Sequence, residues 1–125
     1  MVGKSDVNCV FCKIARGEFK TEKVGESDNF VAFRDANPKV RGHTLIVPKR
    51  HFVTLLDVPD KLGGEMLSFI KNVAGKLIDE KYGDGFNIIM NNLDVAGQVV
   101  MHAHLHILPR KEGDRVIRGG RLRID

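Results

Sequence analysis

Gly97-Gln98-Val99-Val100-Met101-His102-Ala103-His104-Leu105-His106-Ile107-Leu108-Pro109-Arg110 alternates polar and apolar residues through its centre. In an extended chain, residues two apart share a face. A strand over Met101–Leu108, stopped at Pro109, therefore projects His102, His104 and His106 together. Ala103, Leu105 and Ile107 then turn into an apolar layer. Three imidazoles on one face are hard to justify as packing. Two chemistries fit them. An H-x-H pair on a strand can ligate a metal; alternatively, one imidazole attacks phosphorus while the others orient it and manage protons. The preceding Gly97-Gln98 favours the second, because it offers a flexible turn, an amide side chain and consecutive backbone N–H groups. Such donors suit phosphate oxygens whose charge grows in a transition state. A divalent metal would want carboxylates nearby, and the sequence beside the histidines has none.

Outward from this stretch, turn residues divide the chain into short elements. Cys9–Arg16 reads as a short helix with Asn8 as N-cap and Gly17 as its stop. Val24–Glu26 and Asn29–Arg34 read as strands of a hairpin around Ser27-Asp28. Asp35–Gly42 is a loop, and His43–Val47 is a strand ending at Pro48. Leu62, Met66, Phe69, Ile70, Val73, Leu77 and Ile78 follow helical spacing over Asp60–Tyr82, with Asp57 or Asp60 as cap and Gly83 as terminator. Gly85–Asn91 is an apolar strand, and Asn92–Gln98 a turn-rich loop. Short joins between neighbouring strands favour antiparallel pairing. The expected fold is α+β: an antiparallel sheet of about five strands with one long and one short helix.

The chain has 125 residues, 42% hydrophobic and 29% charged, which fits one globular domain over 1–125. No apolar run reaches the roughly 18 residues needed to span a bilayer. Met1–Asn8 lacks the apolar stretch of a signal peptide, so a cytoplasmic location and no membrane partner are expected. The formal charge is +4, and Arg110–Asp125 carries six basic and three acidic residues, so the excess belongs to the tail. A mild excess of this kind does not imply nucleic acid as a partner. Two cysteines, Cys9 and Cys12, are too few for a secreted disulfide scaffold.

The run from Gly97 to Arg110 resembles the signature of the histidine-triad (HIT) family, His-x-His-x-His after a Gly-Gln pair. Cys9-Val10-Phe11-Cys12-Lys13-Ile14 is similar to that family's opening helix. Phe30–Asp35 and Gly42–His51 are similar to its nucleoside-side strands. The similarity runs from about residue 9 to residue 110, leaving 111–125 as a basic tail.

The resemblance implies a fold and a set of roles. His104 matches the nucleophile, which attacks the α-phosphorus of a purine nucleoside 5′-phosphoramidate or related anhydride to give a covalent nucleotidyl-histidine. A main-chain carbonyl is implied to hold its tautomer. His106 and His43 match the histidines that shape the phosphate pocket, and Gln98 the side chain at the phosphate and bridging position. Gly97, Val99 and Val100 lie beside them. Asp35 matches the acid that accepts the ribose hydroxyls, and Phe11, Ile14 and Phe33 the slot around the base. Asn91 matches a polar residue of the phosphate side. No cofactor is required for this chemistry.

Val99 departs from the family, several members of which carry Ser or Thr there to relay a proton to the leaving group. Dinucleoside polyphosphate cleavage, a nucleotide-binding module with weak activity, and a cupin-like metal enzyme built on the three histidines are alternative readings.

The cysteine pair admits redox chemistry, burial as inert thiols, or a structural zinc. In similar proteins such a pair joins two histidines around zinc, and His51 and His102 match those positions. That assignment requires His102 to sit at the edge of the face it shares with His104. The resemblance also implies a homodimer joined edge to edge. The segment Arg115–Arg123 raises the question of whether one subunit's tail approaches its partner's site.

Overall fold

A computed structural model describes residues 8–114; the Arg115–Arg123 segment lies outside the described residues. The elements in chain order are α1 (Val10–Ala15), β1 (Lys23–Glu26), β2 (Phe30–Arg34), β3 (Thr44–Pro48), α2 (Gly63–Asp79), β4 (Gly85–Ile89) and β5 (Leu105–Arg110). All strand pairs are antiparallel, in the order β1-β2-β3-β5-β4. The five-stranded α+β fold is as the sequence predicts.

The strands read as unbroken apolar runs because both faces of the central sheet are covered. Phe30, Ala32, Ile46, Leu105 and Ile107 pack on Phe69, Val73 and Leu77 of α2. Their neighbours Val31, Phe33, Leu45 and Val47 face the other way, onto Phe11 of α1. The short helix thus covers only part of its face. His106, opposite Leu45, lies on this same face.

Several boundaries differ from the sequence expectation. Cys9, not Asn8, caps α1, its sulfur accepting from Cys12 N–H at 3.5 Å. Asp57 caps a separate 3-10 turn in a reciprocal pair with Thr54, and Asp60 opens a second such turn; α2 itself begins at Gly63 without a side-chain cap. The long helix ends at Asp79 rather than near Gly83, with Lys81 at φ +69°. Gly83 serves packing instead: a Cβ there would lie 2.7 Å from the Arg110 backbone nitrogen.

The largest correction concerns the histidine strand. It begins at Leu105 and runs through Pro109 to Arg110, so His102 and His104 precede it and only His106 lies in the sheet. Pro109 is tolerated because β3 pairs with β5 only as far as Ile107, so no β3 partner faces the proline.

Candidate active site and candidate metal centre

The sheet brings the distant histidines together. His106 pairs with Leu45 of β3 and Ile89 of β4, while His43 immediately precedes β3. His43 Nε2 lies 2.9 Å from His106 Nδ1 across 63 residues of sequence. Gly42 makes this approach possible. It sits at φ +88°, and a Cβ there would lie 2.7 Å from the Tyr82 ring.

Hydrogen bonds to groups with only one role fix the protons. A carbonyl can only accept, so His104 Nδ1, 2.7 Å from His102 O, carries the hydrogen and leaves the lone pair on Nε2. His102 Nε2, 2.8 Å from Pro48 O, likewise donates, leaving its lone pair on Nδ1. His43 Nδ1 accepts from Lys39 N–H at 3.0 Å, so its proton is on Nε2. That proton goes to His106 Nδ1, which places the His106 proton on Nε2. Burial holds His43 below the ordinary histidine pKa, with Lys39 adding to the effect and Asp35 opposing it. The cleft is thus lined by imidazoles whose hydrogen-bond partners define donors and acceptors.

A cleft of about 400 Å³ opens over these rings. Phe11, Ile14, Phe33 and Leu45 form its apolar wall, and Asp35, His43, His104 and His106 its polar side, with Val99 and Val100 at the rim. The Phe11 ring meets His104 edge-on, with centroids 5.0 Å apart, and packs against Phe33 at 5.7 Å. Asp35 turns one oxygen to Asn37 N–H at 2.8 Å and the other toward His43 Nε2 at 3.4 Å.

Three predicted site residues lie elsewhere. The buried Gln98 amide donates to Val53 O at 2.6 Å and Val100 O at 3.0 Å, while its oxygen accepts from Leu93 N–H at 2.6 Å. It pins the loop before the histidines to the loop after β3 and does not line the cleft. Asn91 reaches Gly97 O at 3.5 Å and also stays outside. Gly97 supplies a left-handed turn at φ +99° to the same loop and is likewise no part of the lining. Sequence reasoning missed the main-chain groups that set the tautomers, Pro48 O and Lys39 N–H. A main-chain group carries no residue signal.

His102 points away from the cleft into a second cluster. Its Nδ1 lies 3.3 Å from Cys9 Sγ and 3.5 Å from Cys12 Sγ, and His51 Nδ1 lies 3.4 Å from Cys12 Sγ. The four donor atoms are all within 4.8 Å of one another. In a tetrahedral zinc site, bonds of about 2.3 Å to sulfur and 2.05 Å to nitrogen separate S from N by about 3.6 Å. The observed contacts match that edge, and the Pro48 hydrogen bond aims the correct His102 nitrogen. Cys9, Cys12, His51 and His102 therefore fit a closed structural zinc, which would supply cross-linking rather than catalysis.

Asp35, His43 and His106 also lie within ion-binding distance of one another. Their protons decide otherwise, because His43 Nε2 holds a hydrogen where a metal needs a lone pair. The three triad histidines do not converge on a single point, so the cupin-like arrangement is not formed. Among the described residues, no helix is long and apolar enough to cross a membrane.

Residues 16–113 match the HIT domain. A protein of Arabidopsis thaliana named adenylylsulfatase HINT3 is 42% identical over 86% of this chain, which spans about half (54%) of the plant protein's length. The protein of Candida albicans named adenosine 5′-monophosphoramidase HNT1 is 37% identical, covering 86% of this chain and 74% of the relative. A zinc-bound histidine triad family protein from Mycobacterium smegmatis superposes with a TM-score of 0.82 at 36% identity, covering 94% of this chain and 83% of that one. Fold, histidine placement and sequence agree, and the chain belongs to the HIT domain family.

Proposed function

We propose that the chain is a nucleotide hydrolase that cleaves purine nucleoside 5′-phosphoramidates, or related bonds at the α-phosphorus, to the nucleoside monophosphate. The observation that carries this reading is the 2.7 Å bond from His104 Nδ1 to the His102 carbonyl, which leaves Nε2 as the nucleophilic nitrogen beside the cleft. Nε2 attacks the α-phosphorus, and the bond to the leaving group breaks with its electron pair departing on that group. The carbonyl of His102 stabilises the positive charge that develops on the ring. Water then displaces His104 and releases the monophosphate. His106 donates its Nε2 proton to a phosphate oxygen, Asp35 receives the ribose hydroxyls, and Phe11, Ile14 and Phe33 hold the base.

Val99 favours a second reading within this chemistry. Its side chain is exposed at the cleft rim and has no proton to give an amine. Leaving groups that need no proton, such as sulfate or a polyphosphate, are then the better substrates. The relative named as an adenylylsulfatase is consistent with that order. Side-by-side turnover of an adenosine phosphoramidate, adenylyl sulfate and a diadenosine polyphosphate tests it. Faster cleavage of the amine would contradict the role given to Val99. A nucleotide-binding module would bind AMP and turn over none of the three.

We also propose a homodimer joined through β4, one of the sheet's two edge strands, whose Phe86 and Ile88 are 41% and 48% exposed. A structural zinc at Cys9, Cys12, His51 and His102 is part of the same proposal. Sedimentation and metal analysis of the purified chain test the two.

A further inference from the structure

Two features already described share one residue and one helix. His102 gives Nδ1 to the Cys9 and Cys12 sulfurs, and its carbonyl accepts the Nδ1 proton of His104. The six-residue helix α1 carries Cys12 toward the metal cluster and Phe11 and Ile14 into the cleft wall, and Cys9 is its N-cap. A helix that short does not hold itself together in water, so its placement depends on what anchors its ends and sides. The Phe11 ring joins the two sites, with centroids 5.8 Å from His102 and 5.0 Å from His104. Cys12 and His102 are both fully buried, so a shift of either moves packed neighbours rather than water.

We propose that the Cys9–Cys12–His51–His102 cluster is a positioning device for the hydrolytic cleft, so that zinc and nucleotide bind cooperatively. The inference rests on the nucleotide reading above and adds to it a coupling between the two sites. Bound zinc ties α1 to the segment before β5. That tie fixes the apolar wall and the carbonyl that orients His104. Without the metal, four uncrosslinked side chains hold the same segment, and the wall loses its anchor. Because coupling is reciprocal, nucleotide must tighten zinc by the factor by which zinc tightens nucleotide.

The test uses the full chain, with AMP and zinc as probes and circular dichroism to establish that the metal-free chain is folded. AMP affinity is measured by calorimetry with and without zinc. Zinc affinity is measured by chelator competition with and without saturating AMP. We expect both to change by the same factor, fivefold or more, in the range typical of coupled sites. Equal affinities within twofold in both directions would overturn the proposal.

His51→Ala removes a ligand that is no part of the cleft lining; its AMP affinity should follow zinc occupancy and recover at saturating zinc. His51→Cys, which restores four donors, should match the wild type. These variants decide the matter if chelation unfolds the native chain. Failure of AMP to bind either form would instead remove the nucleotide reading. The coupling is then decided by the His104 ring in ¹H–¹⁵N spectra. A ring signal that moves on zinc removal supports the tie, and an unchanged one refutes it.

Discussion

Gly42→Ala tests how the fold sets the histidine pair. The residue sits at φ +88°, where a Cβ costs about 1–2 kcal/mol in its own backbone. The new Cβ would also lie 2.7 Å from Tyr82 Cδ1 and 2.9 Å from Cγ, against an optimal carbon separation of about 3.5–4.0 Å. The ring cannot simply swing aside, because the Arg34 and Arg41 guanidinium groups each lie 4.6 Å from its centre. Overpacking of this kind adds about 1–3 kcal/mol. The expected total is a loss of about 2–5 kcal/mol, which at about 4 °C per kcal/mol lowers Tm by about 8–20 °C.

A double-mutant cycle separates the two causes. In the Tyr82→Ala background the clash partner is gone, so Gly42→Ala should cost only the backbone part, about 1–2 kcal/mol. The difference is the clash itself. Turnover should fall more than tenfold in the single variant, since His43 follows Gly42 directly and is bonded to His106. Thermal or denaturant unfolding reads the stability. A cost under about 0.5 kcal/mol, the size of an ordinary surface change, would mean that neither the backbone strain nor the clash exists.

Other outcomes follow from the same geometry. Burial keeps the folded His43 pKa below the ordinary value of 6.5, so in acid the unfolded chain binds a proton that the folded one does not. Stability should therefore be full above that value and decline as pH falls through and below it. Denaturation curves for His43→Gln should show a shallower acid decline, and an unchanged one would contradict the assignment. Gln98→Ala removes three hydrogen bonds from a buried amide and should cost about 2–4 kcal/mol, raising KM through the loosened loop. Loss of kcat at full stability would instead place Gln98 on the phosphate. Chelation should lower Tm by about 11–16 °C, the linkage expected for zinc held at about 100 to 1,000 times its Kd. A shift under about 2 °C would mean that the cluster holds no metal under the conditions used.

Much of the fold was legible because the strand sequences are short, apolar and bounded by turn residues. Phe30–Arg34 and Thr44–Pro48 fall within a residue or two of expectation. The α2 stripe was legible for the same reason, since Phe69, Val73 and Leu77 recur at helical spacing and meet the sheet. The histidine stretch misled where periodicity was assumed to continue upstream. Ala103 N–H is bonded to Phe52 O, and the Gln98 amide to Val53 O, so the chain through His102 follows another loop rather than a strand. That departure is what lets His102 face the cysteines while His104 faces the cleft. Gln98 could not be placed from sequence, because an amide serves a phosphate and a main-chain turn with the same atoms. Distances between residues 9, 12, 51 and 102 are tertiary facts, and no local pattern contains them.

In the proposed reaction, His104 Nε2 forms the covalent intermediate. Rapid-quench mass spectrometry with a nucleoside phosphoramidate and with adenylyl sulfate tests it directly, using wild type and His104→Ala. We predict a nucleotidyl adduct on the wild-type chain that maps to His104. It should be absent from His104→Ala, which still binds AMP but no longer turns over substrate. An adduct on another residue, or undiminished turnover by His104→Ala, would exclude His104 as the nucleophile.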